Sequence, residues 1–327
     1  MSLLAAHALA HFLVDAICAA VLLGSGNSAS LLPLLLVYNT LAFSGQALFG
    51  LLTDRLGRCE TLSAAACAFL GLCGLLPLPP MLAAVCLGLG NCVFHVAAGS
   101  VTLEDAGRKA APLGVFVAPG ALGVVFGKLW PGFPAALAAL LLLIAALLFF
   151  LGRKRPARQA PAPTEPSRGA VIALLLLAVA ARALGGTAAF FSWQTGVMAI
   201  LATAAFVVAG KAAGGFVCDR WGARRTALLS IPAAALLIAF GGGSMPLSLL
   251  GQLLLNLSMP VTLWLLWREM PDAPGLAFGL AAAALWPGQL LGQMLAEGLS
   301  VRWPWILLGF APGLFAILYA EKRRKNP

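Results

Sequence analysis

The chain of 327 residues reads as an all-α membrane protein of twelve transmembrane helices in two pseudo-symmetric six-helix bundles. Three observations carry that reading. Hydrophobic residues make up 61% of the composition and charged residues 10%, with a mean hydropathy of +0.96. A membrane-spanning helix takes about 20 predominantly apolar residues, so twelve use about 240 and leave only short connections. The third is an internal echo: GLLTDRLGR at Gly50–Arg58 returns as GFVCDRWGARR at Gly215–Arg225, with Asp54 and Asp219 165 residues apart. Repetition at about half the chain length marks a tandem duplication.

The elements follow in order. Apolar runs place the first six spans at 3–23, 32–53, 60–77, 80–101, 111–129 and 134–152. Span 1 lacks the basic start of a signal peptide and is read as uncleaved. Leu78, Pro79 and Pro80 leave room only for a tight outer turn between spans 3 and 4. The stretch Arg153–Arg168, RKRPARQAPAPTEPSR, is rich in Pro, Ala and charge and reads as a cytoplasmic linker. The second six spans fall at 170–190, 195–218, 225–241, 246–267, 275–297 and 303–320, with Gly241, Gly242 and Gly243 turning the chain between spans 9 and 10. The expected division is therefore a first half at 1–152, a linker at 153–169 and a second half at 170–327. Asn91 and Asn256 repeat the 165-residue interval, as do Glu104 and Glu269, and Pro119-Gly120 is matched by Pro287-Gly288 at an offset of 168.

The net charge of +10 excludes less than it first suggests. Seventeen of the 21 Lys and Arg fall in alternate gaps between spans, on one face. That is the positive-inside pattern, which assigns both termini to the cytoplasm and the protein to the cell inner (plasma) membrane. With no contiguous basic patch, a nucleic-acid partner is not expected. The partners expected are the lipid bilayer, a small-molecule substrate and protons, with the chain a monomer. Seven Cys without a C-x-x-C pair argue against a disulfide framework. The absence of a P-loop argues against ATP hydrolysis, and no cofactor is expected.

The repeated motif has a mechanical sense. Gly50 and Gly215 permit close approach of a neighbouring helix, while Asp54 and Asp219 stand where a span leaves the bilayer, able to pair with an Arg or cap a helix end. The order Gly-x-x-x-Asp-Arg-x-Gly, filled by Gly50, Asp54, Arg55 and Gly57 with Arg58 following, and by Gly215, Asp219, Arg220 and Gly222, resembles the signature loop of the major facilitator superfamily of secondary transporters. That resemblance implies rocking of two halves around a midplane site, with the two loops gating it.

Polar groups inside the apolar runs locate the chemistry, because charge deep in a bilayer is costly. They are Asp15, Arg182 and Lys211, with Lys128 and Glu297 nearer the outer ends, and all three His: His7, His11 and His95. His7, His11 and Asp15 share one face of span 1 at i, i+4, i+8, and Cys18 extends it. The superfamily resemblance implies that spans 1, 4, 7 and 10 line the cavity, which brings His95 to that face. HALAHFLVD in span 1 and GLGNCVFHVAAGSV in span 4 further resemble the fosmidomycin-resistance branch, through His11, Phe12, Asp15, Gly88, Gly90, Phe94 and His95; Val96 stands where the branch has Pro. The span 5 run GVFVAPGALG is similar to the Gly-Pro motif of antiporter members, without its full Gly-Pro and Gly-Gly pairs, and points to efflux.

The leading expectation is proton-coupled export of a small anionic or zwitterionic molecule by alternating access, with Asp15 as the coupling carboxylate and His11 and His95 assisting. Arg182 is expected to attract the substrate, and Asn39, Asn91, Asn256 and Trp286 to line its site. A second expectation is a transition-metal exporter with ligands drawn from His7, His11, Asp15, Cys18, Cys92 and His95. An intramembrane enzyme finds no nucleophile with an ordered base, and a non-transporting receptor has no use for charged cavity residues.

Overall fold

The structure, a computed structural model, describes residues 1–25, 28–153, 169–189, 191–298 and 302–325. The expected linker residues 154–168 and the side chain of Glu297 lie outside the described residues. Every described element is helical: α1 Leu3–Ser25, α2 Ser28–Asn39, α3 Gly45–Leu56, α4 Cys59–Leu75, α5 Pro80–Ala106, α6 Ala111–Leu129, α7 Pro134–Gly152, α8 Gly169–Ala188, α9 Gly196–Trp221, α10 Ala223–Phe240, α11 Met245–Glu269, α12 Pro274–Gly298 and α13 Trp303–Lys325. A π-helical turn, Thr40–Ser44, joins α2 to α3, so the two make one span.

Eleven helices among the described residues are long and apolar enough to cross a membrane, and α4, at 17 residues, is the twelfth and shortest. Several helices outrun the apolar stretches that announced them. α5 continues to Ala106 and α9 to Trp221, because helical hydrogen bonding does not stop where hydrophobicity does. α4 instead stops early, at Leu75, where Leu76 turns to an extended conformation immediately before Pro77.

The motif glycines terminate helices. Gly57 sits at φ 62° in the left-handed region and closes α3, its N–H bonding the Thr53 carbonyl at 3.0 Å. Gly222, at φ 82° and ψ 157°, separates α9 from α10 in a different positive-φ conformation, its N–H bonding the Cys218 carbonyl at 2.8 Å. A side chain at either position would strain the backbone.

By internal packing the chain divides into two compact units. The first comprises Met1–Asp105, Phe116–Pro163 and Asp272–Ala283; the second comprises Ala106–Val115, Thr164–Pro271 and Ala284–Pro327. Thus α6 and α12 each contribute to both.

In the first unit, α6 lies on α1 through Gly120, Gly123 and Gly127: a Cβ at Gly123 would strike the Phe12 carbonyl, and one at Gly127 the Ala16 carbonyl. The start of α12 lies on α3 in the same manner, Gly275 against Gly50 and Gly279 against the Gln46 backbone. In the second unit, Gly288 of α12 abuts the Ala180 carbonyl of α8, and Gly292 abuts Thr187. Small residues let these backbones touch, which is how apolar helices gain packing energy where lipid removes the hydrophobic incentive.

Candidate functional site: an acceptor triad and two helix clamps

α1 carries His11 and Asp15 one turn apart, and α5 brings His95 to them. His11 Nε2 lies 3.3 Å from Asp15 Oδ2, His95 Nε2 lies 3.9 Å from Asp15 Oδ1, and the two Nε2 atoms are 2.9 Å apart. The side chains are nearly enclosed, at 8%, 14% and 12% exposure for His11, Asp15 and His95.

The remaining ring nitrogens decide the protonation pattern. His11 Nδ1 lies 2.8 Å from the Phe116 carbonyl oxygen, and His95 Nδ1 lies 2.9 Å from the Asn91 carbonyl oxygen. A carbonyl only accepts, so each Nδ1 carries a proton and donates. In a neutral imidazole that leaves Nε2 as a lone pair. Two lone pairs and a carboxylate therefore converge on one point, an arrangement that repels itself unless a proton or another cation sits among them.

The surroundings hold the triad in register. Asn91 Nδ2 donates to Asp15 Oδ1 at 3.1 Å and reaches the Cys18 sulfur at 3.9 Å. The Tyr38 hydroxyl of α2 is hydrogen-bonded with Cys18. Phe94 and Phe116, both fully buried, flank the His11 ring at centroid distances of 6.2 and 4.9 Å. Gly120 of α6 closes the remaining side, since a Cβ there would collide with the His11 ring and with Asp15 Oδ2.

Of the six side chains expected as metal ligands, the structure brings together three with ligand atoms within 4.8 Å of one another: His11, Asp15 and His95. His7 instead bonds Ser63 Oγ at 3.0 Å, and Cys92 is buried against Gly45. Asn91, expected to touch substrate, spends its amide on Asp15 and Cys18. Asn39 is the half-buried last residue of α2 before the π turn. In the second unit, Asn256 Nδ2 bonds its own helix at the Gln252 carbonyl (2.8 Å), and Trp286 is buried. Arg182 Nε is buried and has no hydrogen-bond partner among the described residues.

The two motif carboxylates act as helix caps. Asp54 Oδ1 and Oδ2 accept from Gly275 N–H and Leu276 N–H, both at 2.8 Å, at the start of α12. Asp219 Oδ1 and Oδ2 accept from Ala110 N–H at 2.6 Å and Ala111 N–H at 3.1 Å, at the start of α6. Each pairs a full negative charge with the positive end of a helix dipole. Arg55, Arg58 and Arg220 are exposed beside them.

Sequence reasoning did not single out the carbonyl of Phe116, the wall made by Gly120, or Tyr38. In the sequence Pro119-Gly120 stands out as a mark of duplication and as part of an antiporter-like run, not as a wall of the site. Backbone acceptors have no sequence signature, so the imidazole tautomers are legible only in the fold.

No protein-family model and no curated protein sequence matches the chain. Solved structures do. The backbone is similar to that of the E. coli fucose:proton symporter, at 12% identity over 99% of each chain with a TM-score of 0.67. It is also similar to a bacterial homologue of the iron transporter ferroportin in an outward-facing state, at 13% identity over 99% of this chain and 100% of that one with a TM-score of 0.68. A second structure of FucP, the same symporter, described as a major facilitator superfamily transporter in the outward conformation, aligns over 97% and 98% of the two chains at 13% identity and a TM-score of 0.69. The chain has the major facilitator fold.

Proposed function

We propose that the chain is a secondary active transporter that exports a small anionic or zwitterionic molecule in exchange for protons, working as a monomer by alternating access in the cell inner membrane. The observation that carries this reading is the acceptor triad of His11, Asp15 and His95: its geometry favours a cation among the three, and a proton is the smallest that fits. The titratable groups facing Asp15 are His11 and Cys18 on α1, His95 on α5 and Tyr38 on α2. α6 faces it with Gly120 and the carbonyl of Phe116 holds His11, so no charged side chain from that helix competes.

An anionic substrate is favoured by Arg182. A buried guanidinium is expensive unless it is paired, and here its Nε lacks a protein acceptor among the described residues. Asp54 and Asp219 serve as latches in this scheme: breaking two charge-assisted bonds at each frees the starts of α12 and α6 to move. Kinship with the fosmidomycin-resistance branch is supported by the triad itself, since its three members come from the two segments that carry that resemblance. A cytoplasmic position for both termini is supported by the 17 of 21 basic residues that fall on one face.

The test is counterflow in proteoliposomes under an imposed pH gradient, with lumenal pH as the readout while carboxylate- and phosphate-bearing compounds are supplied. Proton movement that requires an added anion, and that vanishes in Asp15→Asn, is expected. Anion exchange that proceeds unchanged in Asp15→Asn would overturn the coupling assignment.

A further inference from the structure

The geometry points to a divalent first-row transition-metal ion as a second occupant of the slot formed by His11 Nε2, His95 Nε2 and the Asp15 carboxylate. This rests on reading that slot as the cation site of a transporter, and it adds a ligand class which the proton reading does not require.

The separations are those of ligands sharing one ion. Metal–nitrogen and metal–oxygen bonds of about 2.1 Å put neighbouring ligand atoms roughly 3.0 Å apart at right angles and roughly 3.4 Å apart at tetrahedral angles. Here the separations are 2.9 Å between the two Nε2 atoms, 3.3 Å from His11 Nε2 to Oδ2 and 3.9 Å from His95 Nε2 to Oδ1. The triad therefore needs adjustments of a few tenths of an ångström, within the reach of side-chain torsions.

The outer shell is built for the same task. A ligating imidazole needs its other nitrogen to donate to a fixed acceptor, which sets the tautomer and aims the lone pair. Both rings have this, through the carbonyls of Phe116 and Asn91. The carboxylate needs its own anchor, and the Asn91 amide supplies it. One residue thus orients two of the three ligands, Asp15 through its side chain and His95 through its backbone.

The ligand set selects the ion. Two imidazoles and one carboxylate suit Zn²⁺, Co²⁺, Fe²⁺ and Mn²⁺, whereas Ca²⁺ and Mg²⁺ call for oxygen alone and Cu⁺ for sulfur. Cys18 is next to the site, but Asn91 and Tyr38 hold its sulfur, and it is not among the ligand atoms that converge. Three protein ligands leave positions open, as a site that must release its ion requires.

The experiment titrates the purified full-length chain in detergent with Zn²⁺, Co²⁺ and Mg²⁺, following melting temperature and, for Co²⁺, the visible absorption. Saturable stabilisation by Zn²⁺ and Co²⁺ but not Mg²⁺ is expected, weakened at least about tenfold in His95→Gln and His11→Gln and unchanged in His7→Gln. A Co²⁺ spectrum of nitrogen and oxygen ligation, without a thiolate charge-transfer band, is read on the unsubstituted chain and so survives a variant that fails to fold. A thiolate band, equal stabilisation by Mg²⁺, or no saturable effect overturns the inference. If metal fails to bind while pH-driven counterflow persists, only this inference falls; if metal binds while counterflow is absent, the proposed function falls instead.

Discussion

His11 Nε2 and His95 Nε2 stand 2.9 Å apart, on rings whose Nδ1 atoms each face a backbone carbonyl. Two imidazoles so anchored cannot both be neutral and remain at that distance without a cation between them or on one of them. The backbone carbonyls of α5 and α6 therefore turn both Nε2 atoms into one slot beside Asp15, and that arrangement changes only if a ring turns or the helices part.

Replacing Asn91 by Leu removes the donor that holds Asp15 and leaves the His95 contact, which is to the Asn91 backbone, in place. Cation affinity is expected to fall by 10- to 100-fold, the usual cost of losing an outer-shell partner. The transport rate followed across pH measures it: an unchanged pH profile would show that Asp15 needs no anchor.

Gly120→Ala drives a methyl group into the His11 ring and Asp15 Oδ2. Overpacking of about 1–3 kcal/mol is expected, with loss of transport, because the site itself must distort to admit the methyl. Gly132→Ala is the matched control, having nothing within 4 Å of its built Cβ. Equal transport by both variants in proteoliposomes would dissociate Gly120 from the site.

Asp54→Asn and Asp219→Asn each weaken a bidentate cap on a helix start. A loss of about 0.5–2 kcal/mol of thermal stability is expected for each. Hydrogen exchange localises the effect: faster exchange at the Gly275 and Leu276 amides in the first variant, and at Ala110 and Ala111 in the second. Exchange that accelerates everywhere, rather than at those amides, would argue against discrete clamps.

Arg182→Gln keeps a polar side chain while removing the charge. Substrate half-saturation is expected to rise at least about tenfold, while Zn²⁺ stabilisation of the chain is retained, since Arg182 is not among the triad's ligands. A parallel loss of both would mean that Arg182 supports the fold rather than the substrate.

Much of this molecule was legible in residue order because bilayer solvation is blunt. Apolar length locates spans, and a 165-residue echo is the ground for expecting two halves. His11 and Asp15 were readable as neighbours from helical spacing alone. His95 was placed beside them only through family resemblance, and the structure has it there. What spacing could not show was the division of labour among polar residues. Asn91 and Asn256 occupy equivalent positions in the repeat, yet one reaches across to Asp15 and the other bonds its own helix. Duplication preserves register, whereas the partner across the gap depends on which helix packs there. Likewise Asp54 and Asp219 were readable as caps or as ion-pair partners, and both are found capping a helix start.

The shortness of α4 reaches beyond the protein. A helix of 17 residues rises about 25 Å, against a hydrocarbon layer about 30 Å deep. Lipids alongside Cys59–Leu75 must therefore thin, or the exposed Leu72, Leu75 and Leu76 must sink toward the headgroups. Either response costs fractions of a kcal/mol per ångström of mismatch. Short-chain lipids should relieve that mismatch, which falls on the span whose Ser63 bonds His7 of α1.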